Sequence, residues 1–215
     1  MGDMLMSGRR ESLVGRLIDA MVEAVVTAAD HLSDLDRAIG DGDHGVNMTR
    51  GFLAIAEKRD ELGGMPLPAA LEAMGKLLVL NVGGASGPLF GSLLMAMGRA
   101  GAAQASPGTM IDEGVAAVKK RGKSEAGAKT MLDVLVPVQQ AWTQAAAEGL
   151  NLDATTERLR QAARDGLEST RPLLATKGRA AFLRERSIGH LDPGACSTCL
   201  LVNAACDAFL ESRNS

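Results

Sequence analysis

Tyrosine is absent from this chain, and four phenylalanines with one tryptophan bring the aromatic share to only 2%. A core without aromatic bulk has to be built from Leu, Ala, Val and Met, which suits closely packed helices better than a sheet. Cysteine is scarce too: Cys196, Cys199 and Cys206 form an odd set confined to one C-terminal segment. They make no disulfide framework, so a reducing cytoplasm is the expected home. No apolar run reaches the roughly 18–20 residues of a membrane span. Met1–Arg10 does not follow the order of a signal peptide. Neither sign of charge dominates, the formal net being −3, and basic residues nowhere alternate with aromatic ones, which argues against nucleic acid. The 215 residues can bury a substantial core, and a single domain over 1–215 is expected.

What is present is helical periodicity. Leu13, Leu17, Met21 and Val25 run at three- and four-residue spacing toward Leu32 and Leu35, one long amphipathic helix. Gly40, Gly42 and Gly45 break it. A second helix begins near His44–Asn47 and lasts to Gly63-Gly64, a third covers about 68–80, and a fourth follows Pro88 as a first-turn proline. A fifth is expected at about 109–121 with Thr109 as N-cap, and a sixth at about 129–148. A seventh is capped by Asp153 and reaches Leu174, and an eighth runs to about Glu211 after an irregular stretch. Eight helices with short connections predict an all-α, antiparallel eight-helix barrel or bundle.

The chemistry concentrates in Asp36-Arg37-Ala38-Ile39-Gly40-Asp41-Gly42-Asp43-His44, three aspartates within eight positions. Carboxylates so close repel one another unless a cation neutralises them. Hard oxygen ligands on a flexible turn suit Mg²⁺ or Ca²⁺ rather than zinc. Asp36 falls in the last turn of the first helix, where a cation is favoured, and the next helix starts just beyond, where free N–H groups favour an anion. A cation seat beside an anion seat suits a metal–phosphate complex; the plainer reading is a solvated acidic turn. An EF-hand is excluded, because Val46 and Phe52 stand where its glycine and bidentate glutamate belong.

Gly83-Gly84-Ala85-Ser86-Gly87-Pro88 is a second glycine-rich turn leading into a helix, either a tight corner or an anion-binding loop. Beside the aspartate turn it suggests a nucleotide cradle. Gly122-Lys123-Ser124 imitates the tail of a Walker A loop, but Ala117 replaces its first glycine and a helix precedes it. Lys177, Arg179, Arg184 and Arg186 make a basic segment, either a solvated loop or one whose Arg179 and Arg186 bind phosphate bidentately. Asp192-Pro193-Gly194 reads as the cap of the last helix. Cys196-Ser197-Thr198-Cys199 has redox spacing without a βαβ context, and packing of small residues explains it equally well.

Taken in order, these motifs resemble the nucleotide-binding L subunit of dihydroxyacetone kinase. The aspartate loop is similar to that family's metal loop, and Gly83–Gly91 to its phosphate-covering loop. Arg121-Gly122-Lys123, Lys129-Thr130-Met131 and Gly178-Arg179 through Asp192-Pro193-Gly194-Ala195 match in the same order. The resemblance implies an eight-helix barrel holding two Mg²⁺ ions and ADP or ATP at one end. It implies Asp36, Asp41 and Asp43 as metal ligands. It also implies His44, Gly45, Val46, Asn47, Ala85, Ser86, Gly122, Met131, Arg179, Asp192, Pro193 and Gly194 as the nucleotide pocket. Two departures stand out: Ala128, where relatives often carry Asp, and Ala181-Phe182-Leu183-Arg184 in place of Ser-Tyr-Leu-Gly.

The implied activity is phosphoryl transfer from the nucleotide to dihydroxyacetone or a related small ketose held by a separate K subunit. The donor is either free ATP or an M subunit of the phosphotransferase system that recharges bound ADP. No catalytic side chain is singled out, and self-association as a homodimer is left open. Two rivals remain at this stage: a nucleotide-bound regulator of a transcription factor, and a metal-dependent phosphohydrolase, which the lack of an evident general base counts against.

Overall fold

The computed structural model describes residues 12–213. Among these residues there are ten α-helices, one 3₁₀ segment and no strand. The helices are α1 (Leu13–Thr27), α2 (Ala29–Ile39), α3 (His44–Ala56), α4 (Arg59–Gly63), α5 (Leu67–Asn81) and α6 (Ser86–Ala102). After them come α7 (Pro107–Gly122), α8 (Leu132–Ala147), α9 (Leu152–Ser169), the 3₁₀ segment Arg179–Ser187 and α10 (Pro193–Arg213).

Eight of the ten close a ring: α1 packs on α3, then α5, α6, α7, α8, α9 and α10 follow in turn, and α10 returns to α1. The eight-helix barrel is therefore this ring, with α2 set against α3 and α10, and α4 against α1 and α5. The two extra helices come from breaks that the apolar pattern hides. The expected first helix divides at Ala28 (φ −92°, ψ 4°), and the second divides at Glu57 and Lys58. Neither break carries Gly or Pro. Turn residues at their starts define the helices. Ser12 accepts from the Gly15 N–H at 3.1 Å, Ser106 from the Thr109 N–H at 3.2 Å and Asn151 from the Ala154 N–H at 2.9 Å. Thr109 and Asp153 are thus not the caps; Ser106 and Asn151 are, because each lies one residue before the first helical turn. The seventh expected helix stops at Ser169 rather than Leu174.

Missing aromatic bulk is replaced by close backbone approach. A Cβ on Gly91 would lie 2.6 Å from the Gly75 carbonyl oxygen, so α5 and α6 cross at near backbone contact. Pro137, inside α8, has no N–H for the Asp133 carbonyl. There α9 comes so near that a Cβ on Gly166 would sit 2.4 Å from that oxygen. Inside the ring, Ile18, Val25, Met48, Phe52, Ile55 and Leu78 are almost fully enclosed, and Val134, Leu159, Ala163, Cys199 and Cys206 pack on the α8–α9–α10 side. α10 is long and apolar enough by length and composition to cross a bilayer, but half of it is buried against its neighbours, as expected of a core helix.

Because successive members of the ring run antiparallel, α3, α6, α8 and α10 all begin at the same end. Their first turns surround one cavity.

Candidate functional site

That cavity has a volume of about 510 Å³, and its wall takes residues from the first turns of α3, α6, α8 and α10, the end of α7 and the start of the 3₁₀ segment. Each helix start leaves N–H groups without intrahelical partners and carries partial positive charge. Four such ends add their dipoles over one space and favour an anion there, although Asp36, Thr130 and Asp192 already accept N–H groups of α3, α8 and α10.

Asp36 and Asp43 divide the work at the start of α3. Asp43 occupies the N-cap position but its side chain makes no cap hydrogen bond. Buried Asp36, from the last turn of α2, reaches across instead: its Oδ2 accepts from the Asp43 N–H at 2.9 Å and the His44 N–H at 3.2 Å. Asp43 is thereby free to turn elsewhere. One carboxylate oxygen each from Asp36, Asp41 and Asp43 lies within 4.8 Å of the others. This is a hard-oxygen set with the chemistry for Mg²⁺ or Ca²⁺. Gly40 makes room for it, since a Cβ there would lie 2.1 Å from Asp36 Oδ1. Asp41 Oδ2 meets Arg179 Nη1 at 2.6 Å across the mouth, an exposed pair that links the metal loop to the 3₁₀ segment.

His44 ties three helix starts together. Its Nδ1 lies 3.2 Å from Ser86 Oγ on α6 and its Nε2 lies 3.0 Å from Ser197 Oγ on α10, while Ser197 donates to the Gly194 carbonyl at 3.1 Å. Burial pushes the His44 pKa below its ordinary value despite the opposing pull of Asp36 and Asp43. At neutral pH the ring is uncharged and engaged at both nitrogens. Asn47 accepts from Arg50 Nη2 at 2.9 Å, which leaves its amide donors for a ligand. Gly83 fits against Asn47, and Gly84 adopts φ +64°. Behind α10, Asp192 accepts from the Ala195 N–H at 2.7 Å, the expected cap. Burial raises its pKa from 3.8 to about 7, with Asp133 adding to the rise and Lys129 opposing it.

The structure brings Asp36, Asp41, Asp43, His44, Asn47, Ala85, Ser86, Gly122, Met131, Arg179, Asp192, Pro193 and Gly194 onto this wall. It does not bring Gly45 or Val46 there. Gly45 backs against α2, where a Cβ would lie 1.9 Å from the Ala29 oxygen, and Val46 is 64% exposed. Helical rotation explains both: from His44, the pocket face recurs at Asn47. Sequence reading gave no site role to Ser197, which is named there only within a cysteine motif and holds His44 from behind the wall, or to Lys129 and Lys177, which line the cavity. Gly122-Lys123-Ser124 is the C-cap of α7, with Lys123 at φ +46° and ψ 49°, and no phosphate loop. The three thiols are buried and unpaired.

The DAK2 domain model matches residues 38–207. The ADP-binding subunit DhaL of PEP-dependent dihydroxyacetone kinase 1 from Listeria innocua is 44% identical over 177 residues, covering 80% of this chain and 84% of that protein. The corresponding DhaL subunit from Escherichia coli is 40% identical over 181 residues, covering 82% and 86%. Among solved structures, the dihydroxyacetone kinase from C. freundii in complex with AMP-PNP and Mg²⁺ aligns with a TM-score of 0.71 at 25% identity. That alignment covers 99% of this chain and 37% of the longer one. On these likenesses the chain belongs to the DAK2 domain family.

Proposed function

We propose that this chain is the nucleotide-binding, phosphoryl-transfer subunit of a kinase for dihydroxyacetone or a related small ketose. It uses Mg-ADP or Mg-ATP and is active only with a partner K subunit that carries the ketose. The observation that carries this reading is the convergence of four helix starts and three carboxylates on one cavity. Such an arrangement receives a polyphosphate and its counter-cations together. Its relatives' names, ADP-binding subunits of dihydroxyacetone kinases, point the same way.

In this reading Asp36, Asp41 and Asp43 hold two Mg²⁺ ions, which supply charge neutralisation at the phosphate oxygens. The N–H groups opening α6 would receive part of the remaining phosphate charge, and the dipoles of α3 and α10 would add to it with no reorganisation at the moment of transfer. Neutral His44 fixes the Ser86 hydroxyl by its Nδ1 and holds α10 through Ser197. Arg179, now paired with Asp41 at the cavity, would be available to the phosphate tail, where its planar fork suits bidentate binding. Met131, Gly122 and Pro193 would line the part of the cavity that takes the rest of the nucleotide. His44 is engaged at both nitrogens, so it does not serve as the base for the acceptor hydroxyl. The chain acts as one domain, and its buried unpaired thiols fit a reducing cytoplasm.

Reconstitution tests this. The chain, a K subunit, Mg²⁺ and dihydroxyacetone should yield dihydroxyacetone phosphate with ATP, or with a phosphorylated M subunit if ATP alone fails. Absence of sugar phosphate with both donors, from protein that still binds Mg-ADP, rejects the kinase reading in favour of a regulator.

A further inference from the structure

Lys129 is 1% exposed, a rare state for a lysine. Its backbone sits at φ +60°, a costly conformation for a non-glycine residue, and its side chain points inward beneath the cavity. There the ammonium is surrounded by main-chain oxygens: Thr170 at 2.7 Å, Leu173 at 3.3 Å, Arg171 at 3.4 Å and the carbonyl of His190. Three of these lie just past the end of α9, where carbonyls are left unpaired, and the fourth belongs to the strand of chain entering α10. An ammonium has three protons, so the four oxygens enclose it much as they would a bare monovalent cation.

The cage is joined to the cavity on both sides. Thr170, whose carbonyl binds Lys129, also accepts the Asp192 N–H at its hydroxyl, at 3.1 Å. Asp192 in turn caps α10, whose Pro193 and Gly194 are on the wall. On the other side, Asp133 accepts from the Gly127 N–H and, at 2.7 Å, from the Thr130 N–H, holding the loop that leads from Lys129 to Met131. Asp192 and Asp133 also favour the charged amine against the cost of burial, while Arg171 opposes it.

We propose that Lys129 is a positioning residue for the nucleotide: its buried ammonium clamps the end of α9 to residues 190–192 and thereby sets the Asp192-Pro193-Gly194 wall against Met131. This rests on the nucleotide reading of the cavity. A lysine needed only for folding would stabilise the chain without governing affinity, and the cation cage separates the two. Lys129→Ala empties the cage but leaves its oxygens. In choline buffer this variant binds Mg-ADP about tenfold more weakly than wild type, the scale on which outer-shell partners act. Potassium or ammonium ions restore part of that loss, while wild type ignores the change of salt. Lys129→Met, which fills the space without charge, is weakened and not restored. Wild-type affinity in both variants overturns the proposal, as does weakening of Lys129→Ala that neither cation relieves. Should these variants fail to fold, the Lys129 ammonium resonance of the intact protein decides: Mg-ADP shifts it, and an unmoved signal refutes the assignment. If wild type itself does not bind Mg-ADP, the nucleotide reading falls and this inference falls with it.

Discussion

Gly40→Ala inserts one methyl group into the metal loop. Gly40 has φ −150° and ψ −139°, so alanine meets no left-handed strain; the conflict is with a neighbour. The new Cβ would lie 2.1 Å from Asp36 Oδ1, against the 3.0 Å that real Cβ contacts respect, so the carboxylate must retreat by about 0.9 Å. It cannot retreat freely, because Oδ2 is held by the N–H groups of Asp43 and His44 at 2.9 and 3.2 Å. Either one of these charged hydrogen bonds breaks, or Oδ1 leaves the position facing Asp41 and Asp43. A hydrogen bond to a charged group is worth about 1.5–3 kcal/mol. Mg²⁺ tolerates little departure from ideal distances. The expected loss is therefore about ten- to 150-fold in affinity for Mg-ADP. Isothermal titration of the folded variant measures it, with Gly64→Ala as control, since a Cβ there meets the Glu61 carbonyl at an ordinary 3.6 Å. Wild-type affinity in a folded Gly40→Ala protein would refute the role given to Asp36.

Asp41→Ala should abolish Mg²⁺-dependent nucleotide binding and leave the melting temperature nearly unchanged, because the exposed pair with Arg179 is worth at most about 1 kcal/mol; a large loss of stability contradicts this. Arg184 holds φ +51° and ψ −127°, a glycine conformation, at the position where the family's usual pattern ends in Gly, so Arg184→Gly should stabilise the chain by about 1 kcal/mol in denaturant melts. Between 3.8 and about 7 the folded chain keeps an Asp192 proton that the unfolded chain has lost, so this group's contribution to stability falls as pH rises through that window. The unfolding free energy of wild type minus that of Asp192→Asn should accordingly decline across it; a flat difference rejects the raised pKa. Burial pushes the Cys196 and Cys206 thiols up to about 11 and Cys199 upward, so a thiol reagent at neutral pH should label native protein slowly and all three after unfolding.

Much of this was legible before any coordinates because the informative residues are local. The aspartate turn, the second glycine turn at Gly83–Gly87 and the Asp192-Pro193 cap each declare themselves within a few positions, and periodicity gives the helices. The breaks at Ala28 and at Glu57–Lys58 were hidden because neither carries Gly or Pro. Gly45 and Val46 were drawn into the pocket by proximity in sequence, although the turn of α3 points them elsewhere. Ser197 and Lys129 escaped for the opposite reason. Their partners lie far along the chain, at His44 and at residues 170–190, and the local motifs that contain them say nothing of those contacts.

Titration calorimetry of ADP with and without Mg²⁺ tests the central claim most directly. The converging helix starts and the Asp36, Asp41 and Asp43 cluster predict saturable binding when the metal is present and little or none when it is chelated. Binding indifferent to the metal, or no binding by folded protein under either condition, would contradict the account.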